Sequence, residues 1–254
     1  MPYFRDEHIQ QMADAYSTIP LRALALTESL LQHQFTSVSA KEYAHHGLGR
    51  RLSILKRCIT RIFELLPPEQ EKIPEQEIVL DVTIFLQAFV FNIFGALDDL
   101  AFIWVREKQI TKENGQPLPN GRIGLSREMS EVRSSFPKDL QDYLTSVDPW
   151  FTHIKSYRHA LGHRIPLYIP PFNIRPKNVE RYQILDKQTR EALYFRRDEQ
   201  EHLRLSAERD ALAFFRPWMK HSFDDPSAPI AFHPQVLADF ATVEKMVRMI
   251  IAEL

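Results

Sequence analysis

The sequence predicts a mostly α-helical protein, a bundle of about five to seven helices with a small β-hairpin and proline-rich insertion and an additional C-terminal helix. Three observations lead there. Apolar residues recur at helical spacing through most of the first two-thirds of the chain. Seven glycines in 254 residues are too few for a turn-rich all-β fold. The prolines gather into short segments that separate periodic stretches instead of interrupting them.

Residues 1–36 read as N-terminal helices packing on the bundle. Arg5 to Ser17 is one short helix and Leu21 to Phe35 a second, with Leu21, Leu24, Leu31 and Phe35 on a shared apolar face. Residues 37–166 form the helical core. From Ala40 to Leu66 a stripe of Leu48, Leu52, Leu55, Ile59, Ile62, Phe63 and Leu66 alternates with arginines and lysines until Pro67-Pro68 ends the helix. Pro74 suits the first turn of the next helix, Glu75 to about Lys108, whose near-continuous apolar content makes it the central element. Gln109 to Leu125 holds Asn114-Gly115, Pro117, Pro119 and Asn120-Gly121, the chemistry of a long exposed loop or short hairpin. Helices resume near Ser126 and after Pro137. Asp148-Pro149-Trp150 starts another, with Asp148 as N-cap and Pro149 in the first turn, and Ile154, Tyr157 and Leu161 mark its buried side.

Residues 167–254 complete the same globular unit. The run PLYIPPFNIRP is too proline-rich for a helix, and VERYQIL and EALYF read as two strands joined at Asp186-Lys187-Gln188. Arg196 to Ala211 is a charged, solvent-facing helix. Pro234 opens the C-terminal helix, with Val236, Phe240, Val243, Val247, Ile250 and Ile251 as its apolar stripe.

Composition narrows the function classes. A chain 44% hydrophobic and 26% charged is that of a folded globular protein. The single cysteine, Cys58, rules out an internal disulfide framework and fits a buried thiol in a reducing compartment, so a cytoplasmic location is expected. A net charge of −1 lacks the strongly basic footprint of a protein that coats nucleic acid, so any RNA contact must be local. The N-terminal MPYFRDEHIQQMADAY has charges where an export signal needs an apolar run. Val82 to Leu97 is uncharged but short of the roughly 20 residues of a spanning helix. It reads as a bundle helix, and no membrane partner is expected. No Gly-rich phosphate loop, nucleophile elbow or CxxC pair is present.

Chemistry concentrates in Ser156-Tyr157-Arg158-His159-Ala160-Leu161-Gly162-His163-Arg164, with two histidines and two arginines near a helix end. This stretch resembles the motif of the HEPN superfamily, an arginine followed after four to six residues by a histidine, with a polar residue directly after the arginine. Arg158, His159 and His163 match those places, and the resemblance covers roughly residues 40 to 166. It implies a helical domain whose two copies face each other as a homodimer to form one metal-independent, cofactor-free RNA-cleaving site, in a toxin–antitoxin or phage-defence setting with a cognate antitoxin or other partner protein. His163 would shuttle the proton, Arg158 would hold the phosphate, His159 would orient it or donate a second proton, and Arg164 would extend the basic patch. An earlier helix in the family often supplies a polar residue that contacts the motif, and Asn92, Asp98 or Asp99 could fill that place.

Spacing alone supports other readings. Arg158 and His163 lie about 500° apart along an ideal helix, hence roughly 140° apart around it, unless Gly162 and Pro166 distort the end. Otherwise Gly162 is a C-cap and the basic residues merely answer the helix dipole. His159 and His163 share a face at i, i+4 and with Asp98 or Asp99 could hold a metal in a hydrolase site. His45-His46 reads as a solvated helix-start pair, and Arg50-Arg51, Lys56-Arg57 and Arg61 as a solvated face or an RNA-tracking stripe. The rival from another class is a catalytically silent helical module that dimerises or binds a nucleotide or protein.

Overall fold

In the computed structural model, residues 3–221 and 229–254 are described. The chain is mostly helical, with 71% of it in helix and 5% in strand. Helix α1, Asp6–Gln32, is followed by α2, Val38–Glu42, with the Ser37 hydroxyl accepting from the Ala40 N–H as its cap. A π-helical turn at Tyr43–Leu48 leads without a break into α3, Gly49–Leu65, and the central helix α4 spans Gln76–Glu107. Helices α5, Ser130–Ser134, and α6, Lys138–Ser146, precede the motif helix α7, Asp148–His163. Then come β1, Asn173–Ile174, α8, Val179–Arg190, and α9, Glu199–Asp210. The strands β2, Ala213–Phe214, β3, Trp218–Met219, and β4, Ile230–Ala231, lead to α10, Phe232–Ala252.

The main core lies where α4 packs on α3, α7 and α10, with α1 against α3 and α10. Leu52, Leu55, Ile59 and Ile62 of α3 and Val236, Phe240, Val243, Val247 and Ile250 of α10 are buried, as their spacing predicts.

Four sequence expectations are corrected. The N-terminal helices are one helix running through Pro20, with the Ser17 and Thr18 hydroxyls bonded to the Asp14 and Ala15 carbonyls in the turn before it. Continuity sets the rotation. Met12, Ile19, Ala23, Leu26 and Leu30 go into the core, while Leu21, Leu24 and Leu31, the expected core face, stay 53–71% exposed. Second, only the start of Gln109–Leu125 is the expected short hairpin, Thr111 bridging to Pro117 across the Asn114-Gly115 turn, while the rest is anchored and not exposed, since Leu118, Ile123 and Leu125 are buried. Third, Asp148 does not cap α7; its carboxylate takes the Arg133 guanidinium at 2.5 and 3.2 Å.

Fourth, VERYQIL and EALYF are not strands. They form α8 and a π-helical turn at Glu191–Arg196, because Leu185, Thr189 and Ala192 fall at helical spacing on one buried face. Ion pairs at i, i+4 from Asp186 to Arg190 and Lys187 to Glu191 support the same period. The β pairing lies outside this helical hairpin. Asn173 pairs with Phe214 and Tyr168 with Lys220, so residues 175–212 leave the bundle and return through nested antiparallel contacts. The hairpin has its own small core of Leu185, Ala192 and Leu205.

One buried carboxyl makes stability depend on pH. Asp239 in α10 accepts from Trp150 Nε1 at 2.7 Å and Gln235 Nε2 at 2.6 Å, and burial pushes it up to about 7. Its folded pKa lies above the unfolded value of about 3.9, so its contribution is full below that pH and is lost as pH rises toward 7. Asp239→Asn is expected to remove this loss, since an amide oxygen can accept both bonds. Urea unfolding should therefore show the variant gaining on the wild type between pH 4 and 8. His233, pushed down to about 4 by burial, acts with the opposite sign in both proteins and cancels in the difference. A constant difference across that range would refute the assignment.

Candidate functional site

The antiparallel crossing of α3 and α4 is built from two glycines and two charges. Arg51 Nε donates to Asp99 Oδ2 at 2.8 Å, an ion pair in which Asp99 is almost fully enclosed. Each partner lies against a glycine of the other helix. A Cβ on Gly95 would overlap the Arg51 guanidinium, and one on Gly47 would stand 2.8 Å from Asp99 Oδ2. Gly47–Arg51 and Gly95–Asp99 have the same i, i+4 spacing, so each helix offers one glycine and, one turn on, one charge. The π-helical turn that contains Gly47 brings this backbone in. Arg51 Nη1 also lies 3.5 Å from Asn92 Oδ1.

Arg51 is therefore committed within the fold, which corrects its reading as part of a solvated or RNA-tracking stripe. His45 is likewise engaged, its Nε2 lying 3.1 Å from the Leu30 carbonyl, while His46 is exposed. Burial raises Asp99 above the usual carboxylate range even though Arg51 pulls the other way.

Asp98 turns away from this pair. Burial and the neighbouring Asp99 charge push it up to about 6, partly offset by Arg51 and Arg158. Of the three candidates for a polar residue beneath the motif, Asp98 is the one coupled electrostatically to Arg158, while Asn92 and Asp99 face Arg51.

Helix α7 is held by Phe151, Ile154, Tyr157 and Ala160, all buried, with Leu161 partly buried against the same core as its spacing predicts. The Tyr157 ring meets His221 edge-on at 4.7 Å. This rotation leaves Arg158 half-buried, its guanidinium carbon 5.3 Å from the centre of the Phe94 ring. Among the described residues the Arg158 guanidinium has no hydrogen bond or ion pair, so its fork of donors is preorganised but unused.

His159 and His163 are exposed, with ring centres 5.0 Å apart. Partial loss of water, then the charges of Arg164, His163 and Arg158, hold His159 below the usual imidazole range. The helix stays α-helical to His163, and the Arg164 N–H bonds to the Ala160 carbonyl as its last turn closes. Gly162 and Pro166 thus introduce no break before His163. Arg158 and His163 keep roughly the 140° separation of an ideal helix. Arg164 is exposed beyond the end. No three His, Cys, Asp or Glu side chains converge among the described residues, so Asp98 and Asp99 do not join the two histidines in a metal-binding group.

Behind Phe94 and Asp98 opens a cavity of about 600 Å³, walled by Phe94, Phe102, Ile123, Leu125 and Phe151 and bordered by Lys155. Sequence reasoning missed this cavity, the Arg51 ion pair and the two glycines. The matching Gly-x-x-x-Arg and Gly-x-x-x-Asp spacings were the available signal. No family model, curated protein or solved structure matches the chain.

Proposed function

We propose that the protein is a metal-independent endoribonuclease that acts as a homodimer, with Arg158 and His163 as its working pair. The observation that carries this reading is the Arg158 guanidinium, held over Phe94 with its hydrogen-bond donors unpaired at the rim of the α4–α7 surface. A planar fork so placed suits a phosphodiester, and its charge would offset that building on the phosphoryl oxygens. An exposed imidazole nearby suits proton transfer near neutral pH. In the reaction, one imidazole accepts the 2′-hydroxyl proton as the 2′-oxygen attacks phosphorus. The 5′-oxygen leaves with a proton from a second imidazole, giving a 2′,3′-cyclic phosphate and a 5′-hydroxyl.

Two features support dimerisation. One α7 does not present Arg158 and His163 on the same side, whereas two copies face to face supply both. The central helix also carries an unburied apolar stripe, Leu80, Ile84 and Phe91, at 54%, 53% and 43% exposed. Only a third of its most apolar stretch is buried, and by length and composition alone this helix could cross a membrane. The stripe ends one turn before Phe94, so a two-fold contact along it with the two helices parallel would bring two Arg158 residues to a common rim.

The test uses single-stranded RNA in excess EDTA. Cleavage should persist and leave 2′,3′-cyclic phosphate ends, and light scattering should report twice the 29.8 kDa chain mass. EDTA-sensitive cleavage, or a strict monomer that cleaves normally, would overturn the mechanism. A folded dimer inert on every RNA would favour the silent binding module.

A further inference from the structure

The cavity behind Phe94 combines features that a packing defect would not. Its volume, about 600 Å³, falls within the range of small-molecule sites. Three phenyl rings, Phe94, Phe102 and Phe151, line it, a composition that suits a flat aromatic ligand. Asp98 belongs to the same wall, and among the described residues its carboxylate accepts no hydrogen bond. A half-buried acid without a donor, held among rings, lacks what a ligand with N–H groups would bring. Phe94 is shared: one side lines the cavity and Arg158 lies over the ring. A base in the cavity would therefore place its own phosphate near that guanidinium.

The four RNA bases differ in what they offer a carboxylate. Adenine and cytosine set a ring acceptor beside their amino group, which a carboxylate repels, and uracil presents one N–H between two carbonyls. Guanine alone presents two adjacent donors, N1–H and the 2-amino group, matched to two carboxylate oxygens. We propose that the cavity is a guanine pocket, with Asp98 accepting both donors and the phenyl rings enclosing the base. This deepens the ribonuclease reading and rests on it for its role, since it makes guanine the base beside the cleaved phosphate.

The test titrates the full chain with nucleosides, which lack phosphate and so do not depend on Arg158. Calorimetry should show guanosine binding, inosine weaker by about 10-fold for want of the 2-amino group, and adenosine weaker still. Asp98→Asn keeps the shape, removes the charge and should abolish the preference for guanosine over adenosine. Thr152→Trp, at an exposed position on the cavity wall, should weaken guanosine without touching the acid.

Equal binding of guanosine and adenosine, no binding at millimolar concentration by folded protein, or a preference that survives Asp98→Asn would overturn the pocket. Cleavage indifferent to guanine would also sink it while leaving the ribonuclease standing. Guanosine bound as expected by a protein that cleaves no RNA would retain the pocket and remove the ribonuclease.

Discussion

Arg158→Ala and His163→Ala are each expected to lower RNA cleavage by about 10²-fold or more, because general acid–base help alone contributes about 10²–10⁴ and a charge clamp on phosphate a similar factor. Folding should survive both changes. His163 is exposed at a helix end, and Arg158 is half-buried beside the Phe94 ring with no hydrogen bond or ion pair among the described residues to lose. The two losses should differ in kind. Arg158→Lys keeps the charge but not the fork, so it should recover little activity. A mixture of the two inactive single variants should regain part of the rate, since a mixed dimer still brings one Arg158 and one His163 to the shared site. Undiminished cleavage by both variants would show that the motif is not the site.

A comparable effect, on stability, is expected from Arg51→Ala, with a smaller one from Gly95→Ala. Arg51→Ala leaves the Asp99 carboxylate enclosed without its cation, whereas Gly95→Ala pushes the guanidinium from its present position, which the end of a flexible side chain can yield at lower cost. Breaking a buried pair costs about 3–5 kcal/mol, and a value near the lower end is expected because Arg51 keeps 36% of its side chain in water. The Gly95 variant acts through Arg51, so the double variant Gly95→Ala/Arg51→Ala should lose no more than Arg51→Ala alone in urea unfolding. Replacing both charges, Arg51→Met with Asp99→Leu, should restore most of the loss. Additive losses in the first double variant would mean that Gly95 has a role apart from receiving the guanidinium.

Much of the bundle is legible in the sequence because its signals are local. Pro67-Pro68 ends one helix, Pro149 starts another, and the stripes of α3 and α10 repeat often enough to fix their buried faces. What failed depended on partners distant along the chain. Leu21, Leu24 and Leu31 form as good a stripe as Ile19, Ala23, Leu26 and Leu30, and only the rotation of the uninterrupted α1 against α3 and α10 selects between them. The strands escaped notice because Asn173 meets Phe214 across an intervening helical hairpin. At the site, Arg158, His159 and His163 stand out as residue types, and the placement of Ile154 and Tyr157 follows from spacing. The function of Gly47 and Gly95 does not, because a glycine announces a close approach without naming what approaches. Nor does one sequence distinguish Asp98, facing a cavity, from Asp99, facing an arginine: adjacent residues on a helix differ by a 100° turn whose origin is set by the neighbouring helices.

The excursion between β1 and β2 has a consequence for how the molecule tolerates change. Its small core, Leu185, Ala192 and Leu205, shares no member with the main one, and its entry and exit are clasped by two-residue strands. Opening of this unit costs only its own few contacts and leaves the packing that aims Arg158 intact. The hairpin is thus energetically insulated from the motif. Tyr194 and Phe195, exposed at 70% and 83% on its outer end, stand where sequence can drift or a surface can be recruited while the bundle remains unaltered.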